Sequence, residues 1–259
     1  GPSWVSYEPC VNFAGGRVRW AEVDEEFKPL NLAESITSKT KMILVNSPSN
    51  PTGAVFGRKI LEEIRDLAVD DDLMVLSDEI YEKIVYGQEQ ISIGSLPGME
   101  HRTVTVNGFS KCYAMTGWRL GYLAGPQEIM KWVNRILSHS VSHATTFVQW
   151  AGIEALKGPQ DNILAMVTEF QERRDLLVSG LAEIGIKCSL PGGAFYVFPD
   201  VSEFGGGDKF AERMLSEAMV AATPGSAFGP GGAGNIRISY AASKKRLNQA
   251  LERIAKMLG

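Results

Sequence analysis

The chain has 259 residues, 44% hydrophobic and 22% charged, which suffices for one large domain or two modest ones and excludes a disordered polypeptide. Lys and Arg number 26 against 30 Asp and Glu, a net charge of −4, and no basic stripe or run of like charge points to nucleic acid. The three cysteines, Cys10, Cys112 and Cys188, are scattered and odd in number, which speaks against a disulfide framework and for a reducing compartment. From the N-terminus, Gly1 to Tyr7 reads as a loop whose Trp4 is either a packing anchor or a ring that stacks on a flat ligand. Gly15-Gly16 is a turn before an alternating strand, Arg17 to Trp20, and 30–40 reads as a short helix. Met42-Ile43-Leu44-Val45 is a buried strand that ends in the rigid polar loop Asn46-Ser47-Pro48-Ser49-Asn50-Pro51-Thr52-Gly53. Lys59 to Ala68 is an amphipathic helix, and Leu73 to Ser77 the next buried strand. Strand, crossover helix and strand make a βαβ unit, so a parallel sheet is expected.

That second strand ends in Asp78-Glu79-Ile80-Tyr81, where open α/β sheets bind ligands, although an Asp there also serves as a helix N-cap. After a Gly- and Pro-containing loop, Thr103 to Val106 forms a strand leading to Gly108-Phe109-Ser110-Lys111. Leu120 to Ala124 is another short strand, and Pro126 opens a helix as a first-turn residue. Helices are expected over Gln127–Leu137, Thr145–Leu156 and Asn162–Ile184, the last crossing between two lobes. Lys187–Leu190 and Ala194–Pro199 read as strands around a Pro191-Gly192-Gly193 turn. A helix over Asp208–Ala218, a strand over Asn235–Ala241 and a helix over Lys244–Leu258 complete a small α+β lobe. Residues 1–165 are therefore expected to form a large domain and 166–259 a small one. His139 and His143 are four apart with no Glu or Cys partner nearby, so no metal site is expected. No stretch is apolar and long enough to span a bilayer and no signal peptide is visible, so a soluble cytoplasmic protein without membrane partners is expected.

Several of these residues fit one chemistry. A lysine at the end of a core strand is costly to desolvate, and such a lysine often acts as a nucleophile toward carbonyls. Strand ends supply Asn50, Asp78, Tyr81 and Lys111, with Arg119 eight residues after the lysine. A flat pyridine aldehyde needs this set: an amine for the Schiff base, a carboxylate for the ring nitrogen, phenol and amide for the ring hydroxyl, and Arg with Ser for a phosphate. Arg237, between Ile236 and Ile238, is either a solvated face residue or a planar bidentate clamp for a carboxylate.

Four ordered motifs carry a resemblance. Asn46 to Gly53, Ser77 to Tyr81, Ser110-Lys111 with Met115-Thr116-Gly117-Trp118-Arg119, and Asn235 to Ala241 resemble the class I/II (fold type I) aminotransferases, nearest to the prokaryotic-type aspartate and aromatic branch. The resemblance implies an α/β fold: a mostly parallel sheet in a large domain, incomplete at its N-terminus, plus a small α+β C-terminal domain. It implies pyridoxal 5′-phosphate, with Lys111 as the Schiff-base lysine and proton shuttle and Asp78 on the pyridine nitrogen. Tyr81 and Asn50 would bond the ring hydroxyl, Arg119 and Ser110 the phosphate, and Trp4 would stack on the ring. Arg237 would bind the substrate α-carboxylate, near Asn50 and Trp4. The phosphate hydroxyl of many relatives lies three residues before the lysine, where this chain has Gly108.

The resemblance further implies transfer from an L-amino acid, aspartate first, to a 2-oxo acid, in a homodimer. Aromatic, alanine and kynurenine donors stay open. It also implies an N-terminal portion ahead of Trp4, with a Gly-rich phosphate loop, so the chain is expected to belong to a longer enzyme. Two other readings share the motifs: a C–S lyase of the same fold, and an aminotransferase-like effector domain of a transcriptional regulator. A catalytically dead paralogue is disfavoured by the joint presence of Lys111, Asp78, Tyr81, Arg119 and Arg237.

Overall fold

The computed structural model describes all 259 residues. In chain order its elements are α1 (Tyr7–Phe13), β1 (Met42–Asn46), α2 (Arg58–Asp70), β2 (Met74–Asp78), β3 (Thr103–Gly108), β4 (Gly121–Ala124), α3 (Gln127–Ser140), α4 (Thr146–Lys157), α5 (Asp161–Glu183), β5 (Tyr196–Val197), α6 (Gly207–Ser216), β6 (Thr223–Pro224), β7 (Ile236–Ser239) and α7 (Lys244–Leu258). The chain divides into two compact units. One is Ile36–Pro48 with Phe56–Met166, here the sheet unit; the other is Gly1–Ser35, Ser49–Val55 and Val167–Gly259, here the carboxyl-terminal unit.

In the sheet unit β1, β2 and β3 lie side by side and parallel, with β4 antiparallel at the edge of β3. Parallel neighbours need a crossover, and α2 supplies it between β1 and β2, burying Leu61, Ile64 and Ala68 on one helical stripe. Between β3 and β4 the connection is a loop with a single 3₁₀ turn, so the chain reverses and β4 pairs antiparallel. Gly108 faces Gly121 in that pair. A Cβ on Gly108 would sit 3.0 Å from Gly121 Cα and 3.1 Å from the Leu120 carbonyl oxygen, so the two strands approach tightly here and a side chain would push its neighbours by a few tenths of an ångström.

The carboxyl-terminal unit has a small antiparallel sheet, β5-β7-β6. Its buried side chains include Leu177 and Leu181 of α5, Phe210 and Met214 of α6, and Leu247 and Ile254 of α7. Gly180 lets α5 approach α7: a Cβ there would meet Leu251 Cδ1 at 2.3 Å. Ser243 caps α7 by accepting from the Arg246 amide, as the switch to a helical pattern at Lys244 requires.

Several local expectations change. Arg17–Trp20 is no strand, because nothing pairs with it. Its Trp20 ring instead lies against Gly1 and Gly229, where a Cβ would clash at 2.2 and 2.8 Å. Lys187–Leu190 shrinks to one bridge between Lys187 and Asp200, and the strand expected over Ala194–Pro199 to Tyr196–Val197. The helix expected over 30–40 is a 3₁₀ turn, Leu32–Ser35. No element is expected from the sequence between the Gly1–Tyr7 loop and the Gly15-Gly16 turn, where Tyr7–Phe13 is helical; α1 buries no residue, so it has no apolar stripe to read. No helix is long and apolar enough to cross a membrane.

Candidate active site

Within the sheet unit, parallel pairing brings the carboxyl ends of β1 and β2 level. Asn46 lies opposite Asp78, and Asp78 opposite Val106 of β3, two residues before the strand's end. Asn46 Nδ2 donates to the Asp78 carbonyl at 3.2 Å, pinning the strand end. Asp78 is buried, and its Oδ1 accepts from the Ile80 amide at 3.1 Å. A turn and not an α-helix follows, so the N-cap alternative for Asp78 does not hold. Tyr81, buried on that turn, lies beside the lysine that follows β3: Lys111 Nζ is 6.0 Å from the centroid of its ring.

The loop after β3 is folded tightly on itself. The Tyr113 and Met115 amides both donate to the Phe109 carbonyl, and Thr116 Oγ1 donates to the Ser110 carbonyl at 3.0 Å. Cys112 Sγ donates to the Ile80 carbonyl at 3.3 Å, which ties this loop to the turn after β2. Burial pushes the Cys112 thiol up to about 11, so the neighbour of Lys111 stays a neutral thiol and no competing nucleophile. Arg119 ends the loop with a left-handed backbone (φ 53°); it is exposed, and its Nη1 donates to the Thr116 carbonyl at 2.8 Å.

A residue to which sequence reasoning gave no role lies beside Asp78. Glu79 is buried, and its Oε1 accepts from both Ser77 Oγ and Ser92 Oγ at 2.8 Å. Loss of hydration raises its pKa above the ordinary carboxylate value; the two hydroxyls oppose that shift, and the charges of Glu82 and Asp78 add to it. The signal was present as an acid directly after a buried strand, but its burial depends on a serine from a distant loop.

Within the carboxyl-terminal unit, Arg237 and Asn50 meet across 187 positions of sequence: Arg237 Nη1 donates to Asn50 Oδ1 at 2.9 Å. Nη2 donates to Thr223 Oγ1 at 3.3 Å, from the residue directly opposite on β6. The Arg237 Cζ lies 4.6 Å from the ring centroid of Tyr196 and 4.8 Å from that of Phe228. Tyr196, Thr223 and Phe228 were not singled out by sequence. The register of Thr223 opposite Arg237 and the position of Phe228 follow from tertiary pairing. Trp4 belongs to the same unit, half-exposed and edge-on to Tyr7 at 5.2 Å, and the hydrogen bonds of Arg237 to Asn50 and Thr223 do not involve it.

Comparison with known proteins bears on both clusters. The family model for aminotransferase class I and II matches residues 1–254. The chain is 43% identical to aromatic-amino-acid aminotransferase 2 of Thermococcus litoralis, over 99% of its own length and 68% of that protein. It is 44% identical to the aspartate aminotransferase of Pyrococcus abyssi, again over 99% of this chain and 68% of that one. Among solved structures, the aromatic aminotransferase from Pyrococcus horikoshii OT3 superposes with a TM-score of 0.97 at 45% identity, covering 99% of this chain and 71% of that chain. The chain thus spans about two thirds of the length of these relatives. On a family model over almost every residue and a shared fold at this identity, the chain belongs to the class I and II aminotransferases, enzymes of fold type I that depend on pyridoxal phosphate and move amino groups between amino acids and 2-oxo acids.

Proposed function

We propose that the chain carries out transamination with pyridoxal 5′-phosphate, taking the amino group from L-aspartate or a similar donor and giving it to a 2-oxo acid. One observation carries this reading: a part-buried lysine beside a buried phenol, at the end of the strand next to a buried carboxylate. The donor set suits the cofactor group by group, with an amine for its carbonyl carbon, a carboxylate for its ring nitrogen, a phenol for its hydroxyl and a guanidinium for its phosphate. Once bound, pyridoxal phosphate supplies a conjugated ring able to take up the electron pair left at the amino acid's Cα.

The chain's own residues do the rest. Lys111 Nζ would hold the cofactor through its carbonyl carbon and, as a free amine, would move a proton at Cα. Asp78 would keep a proton on the ring nitrogen. Tyr81 would hydrogen-bond the ring hydroxyl, a role the resemblance also gives Asn50, and Trp4 would be the ring-stacking aromatic. Arg119 with Ser110 would hold the phosphate. Arg237 would receive the α-carboxylate in a planar two-point contact. We take 1–165 and 166–259 as the large and small functional domains; the change of compact unit inside α5, between Met166 and Val167, supports that boundary, while Gly1–Ser35 and Ser49–Val55 group with the carboxyl-terminal segment.

A homodimer is part of this proposal, supported by the exposed apolar side chains Trp132, Ile136, Phe147 and Trp150 on α3 and α4. A cytoplasmic location is supported by three unpaired cysteines. Transamination is favoured over C–S cleavage and over a regulator's effector domain because the relatives are named aspartate and aromatic aminotransferases. The test is the visible spectrum of the purified protein with pyridoxal phosphate, before and after L-aspartate, with ammonia and thiol release from a cysteine thioether assayed alongside. A cofactor band that aspartate converts to the amine form, with no ammonia or thiol released from the thioether, supports the proposal. A band that no amino acid moves overturns it.

A further inference from the structure

We infer that Tyr196 and Phe228 are positioning residues for the Arg237 guanidinium, holding it in the one orientation in which it can take a carboxylate end-on. The inference rests on Arg237 being the carboxylate clamp and adds what makes that clamp rigid. On β7, Arg237 alternates with Ile236 and Ile238, both buried, so its own side chain leaves the core face of the strand. A long cationic side chain in that position would ordinarily be solvated and mobile. Here it is held from four directions. Two rings lie under it at 4.6 and 4.8 Å, inside the range of cation–π attraction, and two oxygens, Asn50 Oδ1 and Thr223 Oγ1, accept from its two Nη atoms.

The rings are themselves fixed. Tyr196 is buried on β5, with Phe195 4.7 Å away. Phe228 is buried beyond β6, with Phe198 edge-on at 6.0 Å and 88°. Gly225 brings the Phe228 turn this close, since a Cβ there would lie 2.0 Å from the Gly232 carbonyl oxygen. A guanidinium has five N–H donors in one plane, and Asn50 and Thr223 take one each. Because the N–H donors point outward in the guanidinium's own plane, a ligand carboxylate meets them at the edge of that plane, and the two ring contacts limit how far the group can turn. Orientation is therefore set before the substrate arrives, and binding does not have to supply it.

The experiment varies the rings separately, so that a variant that fails to fold leaves the other to decide. Tyr196→Leu and Phe228→Leu keep apolar bulk and remove the π face; Tyr196→Phe and Phe228→Tyr keep the face. For each, the dissociation constant of maleate, a carboxylate probe with no amino group to transfer, is read from the perturbation of the bound cofactor's visible band. KM, kcat and the thermal midpoint are measured in parallel. Each leucine variant should weaken maleate about tenfold and raise KM by a similar factor with kcat nearly unchanged, and the aromatic exchanges should stay within about twofold of the parent. Leucine variants that bind maleate like the parent, while Arg237→Ala binds it poorly, overturn the inference and leave the clamp standing. Equal losses in the leucine and aromatic variants, tracking the thermal midpoint, mean that the rings only pack, and overturn it too. Unchanged maleate binding in Arg237→Ala removes the clamp itself, and the inference with it.

Discussion

Two arginines, Arg237 and Arg119, are assigned anions here, and the fold treats them in opposite ways. Arg237 stands on a strand, over two buried rings, with hydrogen bonds to two side-chain oxygens. Arg119 stands on a left-handed turn residue, exposed, with one guanidinium bond to a backbone carbonyl three positions back. The first is organised before any ligand is present. The second must exchange its Thr116 contact for a phosphate and order its side chain in doing so. Under the proposed roles, the same residue type would serve as a rigid carboxylate receptor in one unit and as an adaptable anion contact in the other, and the difference lies in what surrounds the guanidinium.

The largest effect on either cluster should come from Lys111→Ala. Loss of the amine that moves the Cα proton should lower turnover by about 10³-fold or more while part of the cofactor affinity remains. Turnover like the parent's in a stopped-flow half-reaction would remove Lys111 from that role. Arg237→Ala should weaken carboxylate substrates by about 2–5 kcal/mol, because it removes the guanidinium around which the receptor is organised. Arg119→Ala should weaken the cofactor by only about 1 kcal/mol, the net worth of an exposed charged contact. Equilibrium titrations of maleate and of pyridoxal phosphate against both variants test the contrast. Equal losses would mean that organisation before binding makes no difference.

Between those two arginine variants in size is Gly108→Ser, which restores the hydroxyl that the resemblance places three residues before the lysine. The new Cβ would meet Gly121 Cα at 3.0 Å and the Leu120 carbonyl at 3.1 Å, so β4 must move. Destabilisation of about 1–3 kcal/mol is expected, read from denaturant unfolding, with no gain in cofactor affinity. A stable variant that binds the cofactor more tightly would show that the hydroxyl fits. The outcome turns on whether β4 can give by the few tenths of an ångström that a Cβ at 108 needs.

How much of this could be read beforehand follows from how local each feature is. β2 and Asp78 were readable because a short apolar run followed by an acid is a pattern within a few residues, and α7 because its apolar stripe is periodic. Lys111 was readable from its place just past a core strand, and the role of Asn50 came from the resemblance of its loop. The Arg17–Trp20 strand failed because alternation shows which face is apolar but not whether a partner strand exists; Trp20 lies against glycines instead. α1 was missed because it buries nothing and so leaves no periodic trace. The setting of Arg237 was unreadable for a stronger reason. Its partners come from 187 positions away, from the facing strand and from a turn, and only tertiary pairing brings them together.

The smallest expected effect concerns Glu79, the buried acid beside Asp78. Its folded pKa lies above the ordinary value of 4.5, chiefly through loss of hydration. Below 4.5 both folded and unfolded chains hold this proton, so pH makes no difference to stability through this group. As pH rises from there, the unfolded chain releases the proton first and the folded chain keeps it. The folded state then binds more protons, and stability falls until pH passes the folded pKa, where the loss is complete. Glu79→Gln has no proton to lose, and its amide oxygen can still accept from Ser77 and Ser92. The variant's thermal midpoint, minus that of the parent, should therefore grow from pH 4 to pH 8, by a few degrees at most. A difference that stays flat would mean that Glu79 titrates as an ordinary surface acid. A difference that shrinks would mean that the two serine hydroxyls favour the carboxylate more than burial disfavours it. Only in that second case would the sheet unit have organised its buried acid as fully as the carboxyl-terminal unit organises Arg237.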